Sequence, residues 1–261
     1  MSAFTQESED LVYEVRGQIG YITFNRPASR NALTFAMYER LAAICGDTGD
    51  LRALVLTGGG EKAFAAGTDI NQFRAFRTPE DALAYERRID AVLQALETCP
   101  TPTIAAISGA CTGGGAAIAA VCDLRIASES AKFGFPIART LGNCLSAENY
   151  ARLAALIGAA RVKDLIFTAR LIGAGEAERI GLVSEVLPDH ETLLARASAL
   201  AETMTRHAPL TLRVTKDALN RISRLSRIEA NDLILTCYMS EDFREGMDAF
   251  LTKRQPDWKG R

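Results

Sequence analysis

Two glycine-containing turns constrain this chain more than any other feature of its sequence. The first spans residues 65–70 (AAGTDI) and the second spans residues 109–117 (GACTGGGAA). Each follows an apolar run that predicts a buried strand, residues 53–56 and 103–107, and each precedes a helical pattern. Strand-to-helix turns leave backbone N–H groups free to stabilise an anion or a developing oxyanion. One such turn is weak evidence, because most only close a tight bend, but two of them predict a functional site.

The rest of the chain alternates predicted strands with predicted helices. Residues 11–16 and 19–24 alternate apolar and polar side chains on either side of a glycine, which predicts an opening β-hairpin. Residues 34–45 carry apolar side chains at helical spacing, with Thr34 as the expected N-cap. Residues 80–97 predict a long amphipathic helix that ends before a proline-containing segment. Alternation of this kind is typical of the α/β class.

Composition excludes several classes of protein. With 261 residues, 48% of them hydrophobic, the chain can bury one large core. A net charge of -2 and the lack of a basic block argue against binding to nucleic acid or to an anionic membrane. No apolar run approaches the ~18–20 residues that a membrane span needs.

The cysteine and histidine content argues against metal and disulfide chemistry. The six cysteines are scattered with no CxxC spacing, and the two histidines, His190 and His207, have no metal-ligand spacing. The N-terminal segment is polar and lacks the apolar stretch of a signal peptide. We therefore expect a cytoplasmic protein with reduced thiols and no metal, and neither a zinc enzyme nor a Ser-His-Asp enzyme.

The amino-acid sequences of the two turns resemble the signature segments of a known family. Residues 62–70 (KAFAAGTDI), and the glycine triplet 113–115 followed by residues 122–127 (CDLRIA), are similar to the two signature segments of the crotonase (enoyl-CoA hydratase/isomerase) superfamily. The resemblance continues in collinear order along essentially the whole chain, at residues 25–27, 31–33, 168–170, 181–183 and 250–256. It implies a crotonase-like spiral of ββα units and an acyl-CoA thioester substrate. Coenzyme A would be part of that substrate, and no separate cofactor is expected.

The C-terminal part of the sequence predicts helices only. Apolar side chains recur at three- and four-residue spacing in residues 198–207, 210–221, 228–239 and 241–252. Residues 233–235 and 237–239 are apolar over more than one narrow stripe, which fits either an internal core or a subunit contact. The resemblance favours the contact. It implies an α/β core in residues 1–200 and a helical region in residues 201–261 that forms a homotrimer, or a dimer of trimers.

The resemblance also assigns the groups that hold the substrate. Relatives grip the thioester carbonyl oxygen with two backbone N–H groups, which here belong to Thr68 and Gly114. Such donors stabilise an enolate without reorganising as charge develops. Asp69 follows the first donor at a helix start, where a structural role for its carboxylate is the better interpretation. The residues implied at the CoA site are Ala28, Ser29, Arg30, Ala66, Thr68, Asp69 and Ile70. Of these, Arg30 is either a phosphate partner or simply solvated.

Two positions depart from the hydratase pattern. Hydratases of the superfamily carry a glutamate just after the glycine triplet and another after a proline in the next segment. Here those positions hold Ala117 and Ile137, or Ala138 if this stretch is one residue longer. None of these side chains can move a proton, whereas adding water to a double bond needs a proton donor and a water-activating base. The two-glutamate route of hydration is therefore not expected.

The loop after the second glutamate position offers substitutes. Glu148 is the best candidate acid or base, although a first-turn carboxylate of a helix capped by Ser146 is the alternative interpretation. Arg139 could pair with a substrate carboxylate, and Asn143 could hydrogen-bond a substrate or water. Cys144 has no nearby histidine in sequence to activate it, so packing is the better interpretation of this thiol.

Four functions remain open at this stage. The family default is a hydratase or isomerase that works through a thioester enolate. A decarboxylase of malonyl-type CoA esters is the next alternative, because an enolate formed by loss of CO2 needs no strong base. An acyl-CoA hydrolase follows. A non-catalytic CoA-binding protein is the alternative outside enzymes, since loss of both glutamates would permit it.

Overall fold

A six-stranded sheet forms the centre of the molecule. The structure is a computed structural model that describes residues 10–74, 76–225 and 230–261. The strands of this sheet are β1 (Leu11–Arg16), β2 (Ile19–Phe24), β3 (Ala53–Gly58), β5 (Thr103–Ile107), β7 (Leu124–Ser128) and β10 (Val186–Leu187), in the order β1-β2-β3-β5-β7-β10. The predicted hairpin is confirmed, since β1 and β2 pair in antiparallel fashion. Every other pair in this sheet is parallel.

A second sheet of four short strands brings the two glycine turns together. Its strands are β4 (Ala63–Ala65), β6 (Ala110–Thr112), β8 (Lys132–Gly134) and β9 (Ile172–Gly173), in the order β4-β6-β8-β9. Strands β4 and β6 are parallel neighbours, and each leads directly into one of the two turns. Because parallel neighbours end at the same edge of a sheet, both turns lie at one edge.

The helices fill the connections between strands. They are α1 (Phe35–Gly46), α2 (Pro79–Glu97), α3 (Gly114–Val121), α4 (Ile137–Thr140), α5 (Ala147–Ile157), α6 (Ala159–Thr168), α7 (Ala174–Arg179), α8 (His190–Thr205), α9 (Pro209–Arg224), α10 (Asn231–Tyr238) and α11 (Glu241–Leu251), with short 3₁₀ helices at Pro27–Ser29 and Ile70–Phe73. The predicted caps are confirmed: the hydroxyls of Thr34 and Ser146 accept hydrogen bonds from the third residue of α1 and of α5. No helix among these described residues is long and apolar enough to cross a membrane.

The large sheet buries both of its faces. On one face, side chains such as Ile22 and Leu54 pack in a core with α1, α2 and α3. On the other face, Val55 and Ile104 pack against Leu193 and neighbouring small residues of α8. Alternate residues of a strand point to opposite faces, so neighbours such as Leu54 and Val55 enter different cores. This layering confirms the predicted α/β class and the crotonase-like arrangement of sheets and helices.

The C-terminal helices differ in detail from the sequence prediction. Helix α8 begins at His190, well before the predicted start, because Asp189 caps it by accepting a hydrogen bond from the Thr192 amide at 2.7 Å. The predicted boundary after residue 200 falls inside α8, so the division into two regions stays a prediction. Helix α10 begins at Asn231; residues 228 and 229 of the predicted helix lie outside the described residues.

The apolar stripe of α10 is partly buried within the chain. Ile234 and Tyr238 are buried, and α10 packs on α2. They form a third core with residues of α11 and with Phe73 of the Ile70–Phe73 3₁₀ helix. Leu233 remains 59% exposed. An internal core therefore accounts for part of this pattern, and the exposed remainder leaves the predicted subunit contact open.

Candidate active site

The two glycine turns touch each other. Gly67 and Gly113 have φ values of 105° and 52°, in the left-handed region that favours glycine. A Cβ atom on Gly113 would lie 3.5 Å from Gly67 Cα, so the backbones of the two turns are in direct contact. The two short parallel strands β4 and β6 thus place the two turns side by side, with glycine backbone at the contact.

Each turn presents a backbone amide that has no hydrogen-bond acceptor among the described residues. Leu33 pairs with the first turn as an isolated parallel bridge, in which Leu33 N donates to Gly67 O and Asp69 N donates to Leu33 O, both at 2.8 Å. Backbone groups alternate in direction along an extended segment, so the intervening Thr68 N–H points away from Leu33. Gly114 is the first residue of α3, where an N–H has no acceptor within the helix. Both residues line the same cavity.

That cavity has a volume of about 650 Å³ and contains most of the predicted CoA-site residues. The predicted residues in its wall are Ser29, Arg30, Ala66, Thr68, Asp69 and Ile70. Ala28 is exposed beside it and does not line it. Arg30 is exposed and ends the Pro27–Ser29 turn in a left-handed conformation, with a φ of 51°.

Two tyrosines fix the first donor residue and were not predicted. Thr68 Oγ1 lies 2.9 Å from Tyr38 Oη and 3.0 Å from Tyr85 Oη, within hydrogen-bond distance of both. Burial raises the pKa of Tyr38, so this phenol stays neutral. A Cβ atom on Gly114 would clash with the same Tyr38 hydroxyl. Glycine at position 114 is therefore required by the close approach of Tyr38, and one phenol lies against both of the predicted donor residues.

Asp69 has the structural role that the sequence favoured. It caps the Ile70–Phe73 3₁₀ helix, with Oδ1 accepting from Asn71 N at 3.1 Å. Its Oδ2 atom accepts from Arg26 Nη1 at 3.0 Å. Burial alone would raise the pKa of Asp69, but the hydrogen bonds from Asn71 and Arg26 outweigh burial and lower it. A carboxylate held in this way stays ionised and paired, and is not free to exchange protons.

A buried carboxyl group in the cavity was missed by sequence reasoning. Glu86 of α2 is 5% exposed and lines the cavity wall. Its Oε1 atom accepts a hydrogen bond of 2.6 Å from Tyr238 Oη, and Asn143 Nδ2 donates to the same phenol at 3.3 Å. Burial raises the pKa of Glu86 to about 8, opposed by the hydrogen bonds from Tyr238 and from the Ser146 backbone and aided by repulsion from Asp90. The available signal was a glutamate on the apolar stripe of α2, in line with Ala82, Ile89 and Leu93.

The structure does not bring Glu148 or Arg139 to this cavity. Glu148 lies in the first turn of α5, where its carboxylate pairs with Arg152 at 3.0 Å in an i,i+4 arrangement, and it does not line the cavity. The helix-start interpretation of Glu148 therefore fits its position. Arg139 lies in the short α4 and is exposed outside the cavity wall.

The other predicted positions do lie in the wall. Asn143, Cys144, Ala117 and Ile137 all line the cavity. A hydrogen bond with Cys237 and burial raise the pKa of the Cys144 thiol, which supports packing over nucleophilic attack. Ala117 and Ile137 place apolar side chains at the two positions where hydratases of the superfamily carry glutamates.

Comparison with known proteins agrees with this geometry. The family described as enoyl-CoA hydratase/isomerase matches residues 14–261. The short-chain-enoyl-CoA hydratase of Clostridium acetobutylicum is 35% identical over 256 residues, covering 95% of this chain and 97% of that protein. A probable enoyl-CoA hydratase of Mycobacterium tuberculosis is 38% identical over 260 residues, covering 97% and 99% of the two chains. Among solved structures, methylmalonyl-CoA decarboxylase in complex with 2-nitronate-propionyl-CoA has a TM-score of 0.87 and 27% identity, covering 96% of this chain and 98% of that one.

Proposed function

This chain belongs to the enoyl-CoA hydratase/isomerase family, and we propose that its cavity binds an acyl-CoA thioester and stabilises the enolate formed from it. The observation that carries the proposal is the pair of unused amides of Thr68 and Gly114 in the wall of one cavity. Two fixed N–H groups would hold the thioester oxygen and strengthen their hydrogen bonds as negative charge develops on it. Removing one such donor in other enzymes lowers kcat by ~10²–10³-fold.

The mouth of the cavity supports a CoA substrate. Arg26 and Arg30 both line it, and Arg30 is exposed. Arg26 is already paired with Asp69, and its Nε atom also lies 3.5 Å from Asp10. Arg30 is therefore the better partner for a phosphate of the CoA moiety, since a guanidinium matches phosphate oxygens with two donors.

The part of the cavity that would hold the acyl group favours reactions that move one proton. Ala117 and Ile137 line it and can neither donate nor accept a proton. Glu86 is a single carboxyl group in the same wall. Isomerisation of a double bond needs one group that removes a proton and returns it, whereas hydration also needs a base to activate water. We therefore favour isomerase chemistry over hydration within the family.

Decarboxylation is the second candidate, and one comparison favours it. The solved structure with a TM-score of 0.87 is a methylmalonyl-CoA decarboxylase in complex with 2-nitronate-propionyl-CoA. Loss of CO2 from such a substrate leaves an enolate, which the same two amides would stabilise, and it needs only a proton donor afterwards. Arg139 is exposed outside the cavity, so it is no longer the proposed partner of a substrate carboxylate.

Exchange of the α-protons tests the enolate directly. Butyryl-CoA incubated with the enzyme in D2O should gain deuterium at C2, measured by mass spectrometry, and should raise Tm by mass action. Gly114→Ala adds a methyl group that clashes with Tyr38 and should slow exchange by ~10²-fold or more. Gly46→Ala is the matched control, because its new Cβ would meet nothing within 4 Å, and it should behave as wild type.

Turnover of a substrate panel separates the reactions. A 3-enoyl-CoA should isomerise faster than crotonyl-CoA is hydrated, and methylmalonyl-CoA should lose CO2 if the second candidate is correct. Hydration of crotonyl-CoA at the ~10 s⁻¹ typical of enzymes would contradict the preference for single-proton chemistry. A folded protein that shows no thermal shift and no C2 exchange with any acyl-CoA would overturn the proposed function. A thermal shift with neither exchange nor turnover of any substrate in the panel would identify a non-catalytic CoA-binding protein.

Assembly into trimers is a further part of this proposal. Helix α9 buries none of its residues within the described chain, although it carries large apolar side chains. Leu210, Val214, Leu219, Ile222 and Leu225 are each at least 61% exposed. A contiguous apolar surface of this kind is typical of protein–protein contacts. A contact that repeats by rotation closes into a ring, which supports a homotrimer, singly or stacked in pairs.

A further inference from the structure

We propose that Glu86 is the catalytic acid–base of this cavity, and that Tyr238 and Asn143 position its carboxyl group for proton exchange with the α-carbon of the bound thioester. The inference rests on the proposed enolate chemistry, and it assigns the proton transfer to a residue outside both signature segments. It replaces Glu148, which does not line the cavity.

Glu86 belongs to the same wall as the two amides. Its neighbour in sequence, Tyr85, hydrogen-bonds Thr68 Oγ1 at 3.0 Å, which ties this turn of α2 to the first donor residue. Gly114, at the start of α3, lines the same cavity as Glu86. Helices α2 and α3 pack against each other. An acyl group whose carbonyl oxygen lay between the two amides would therefore extend along a wall that contains Glu86.

The partners of Glu86 differ from those of a structural buried carboxylate. Buried carboxylates are usually stabilised by a cation, and Glu97 on the same helix follows this rule, with Arg152 Nε 3.5 Å from its carboxylate. Glu86 takes part in none of the ion pairs among the described residues, and its hydrogen-bond donors there are neutral, namely the phenol of Tyr238 and the backbone N–H of Ser146. A carboxyl group held by a neutral donor can gain and lose a proton without breaking a salt bridge.

The groups around Glu86 include no cation that would fix its carboxyl group in the charged form. They are Asp90 and Tyr85 on α2, Tyr238 on α10, Tyr38 on α1 and Cys144 in the loop before α5. None of them is a cation. Burial raises the pKa of Glu86 to about 8; the hydrogen bond from Tyr238 opposes this rise, and repulsion from Asp90 adds to it. A general acid–base works best when its pKa lies near the operating pH.

The proton transfer balances without a co-reactant. The Glu86 carboxylate removes a proton from C2, the C2–H bond breaks, and its electron pair enters the C1–C2 bond while charge moves to the thioester oxygen held by the amides. The resulting carboxylic acid returns the proton to C2, or to C4 if the substrate is a 3-enoyl thioester, which moves the double bond into conjugation. After loss of CO2, the protonated form supplies the proton to C2.

Glu86→Gln tests the inference, because it keeps the shape of the side chain and removes its titration. Binding of butyryl-CoA, measured by calorimetry, should stay within about threefold of wild type, whereas C2 exchange in D2O should fall by ~10²–10⁴-fold. Glu97→Gln is the matched control, since it makes the same change in a buried carboxyl of the same helix outside the cavity. Its exchange rate should stay within about threefold of wild type.

Tyr238→Phe provides a second measurement that a purely structural role would not affect. Loss of the phenol removes the hydrogen bond that favours the charged form of Glu86, so the pKa of Glu86 should rise. The rising limb of kcat/KM for exchange, expected near pH 8 in wild type, should move to higher pH while binding changes little. Glu86→Gln should abolish this limb.

The outcomes separate this inference from the proposed function. No exchange and no binding in wild type would remove the proposed function itself. Wild-type exchange that survives in Glu86→Gln within about threefold would overturn the assignment of Glu86 and leave the function intact. If Glu86→Gln did not fold, an unchanged pH profile in Tyr238→Phe would contradict the proposal on its own.

Discussion

The Tyr38 hydroxyl lies 2.9 Å from Thr68 Oγ1 and fills the space in which a side chain at position 114 would begin. One neutral phenol therefore sets the spacing between the two turns that carry the proposed oxyanion donors. The contact joins α1, the first turn and the start of α3, which lie far apart in sequence. The spacing of the donors thus depends on a side chain that belongs to neither turn.

Tyr38→Phe should weaken catalysis moderately and leave the fold intact. Thr68 Oγ1 keeps its hydrogen bond to Tyr85, so the turn should shift slightly rather than collapse. A net hydrogen bond is worth about 1 kcal/mol, so stability in urea should fall by about that amount and C2 exchange by up to about tenfold. Tyr21→Phe is the control, since the Tyr21 hydroxyl contacts Ser198 and lies outside the cavity wall. Equal exchange rates in Tyr38→Phe and wild type would show that the phenol does not hold the donors.

Glu148→Gln should leave turnover unchanged and cost some stability. Its carboxylate is paired with Arg152, which keeps contacts to Asp90 and Asn149 when the charge at position 148 is removed. The pair is partly exposed, so the expected loss in thermal or urea unfolding is about 1 kcal/mol or less. A fall in kcat of tenfold or more would return Glu148 to the list of proton-transfer candidates.

Features set by neighbouring residues were predictable from the sequence, and features set by distant ones were not. Thr34 and Ser146 were recognised as caps because an N-cap contacts the backbone only a few residues ahead. The two turns were found because their glycines are a local requirement of the backbone. The hydrogen bond between Glu86 and Tyr238 joins residues 152 positions apart, and no local pattern encodes it.

The positions of the missed residues explain why patterns fail there. Glu86 occupies the apolar stripe of α2, where periodicity alone predicts core packing and carries no information about the chemistry opposite. Glu148, by contrast, follows a polar loop whose residue types indicate a functional site, but it pairs with Arg152 one turn later in α5 and does not line the cavity. Packing of α2 against α3 and α10 decides which carboxyl group lines the cavity.

The stability of the protein should fall as pH rises, and Glu86→Gln should reduce that fall. The pKa of Glu86 is raised from 4.5 to about 8, so between these values the folded protein keeps a proton that the unfolded chain releases. The stabilisation is therefore complete below pH 4.5, decreases by about 1.4 kcal/mol per pH unit across the window, and is lost above pH 8. Urea unfolding of both proteins from pH 5 to pH 9 should show the variant gaining relative stability with pH. A constant difference between the two proteins would contradict the raised pKa.

Arg30→Ala should weaken the binding of CoA thioesters, and only of ligands that carry phosphates. Butyryl-CoA should bind about three- to tenfold more weakly in calorimetry, as expected for loss of one charge-assisted contact. A butyryl thioester of pantetheine, which lacks phosphates, should bind both proteins equally. Arg16→Ala removes another exposed arginine outside the cavity and should change neither affinity. The loss of affinity in Arg30→Ala should become smaller as the salt concentration increases, because an exposed charge is screened. An equal loss of affinity for both ligands would show that Arg30 does not contact a phosphate.

Val214→Asp should dissociate the proposed trimer. Val214 is 63% exposed on α9, one turn after the similarly exposed Leu210 on the same side of the helix. A carboxylate buried at a subunit contact without a partner costs several kcal/mol, which is enough to separate subunits at micromolar concentration. Arg213→Asp, on a different side of the same helix, is the control and should not change the mass. Light scattering of wild type should give three or six times 28.2 kDa. A wild-type mass of one chain at micromolar concentration would show instead that this apolar surface of α9 is not a subunit contact.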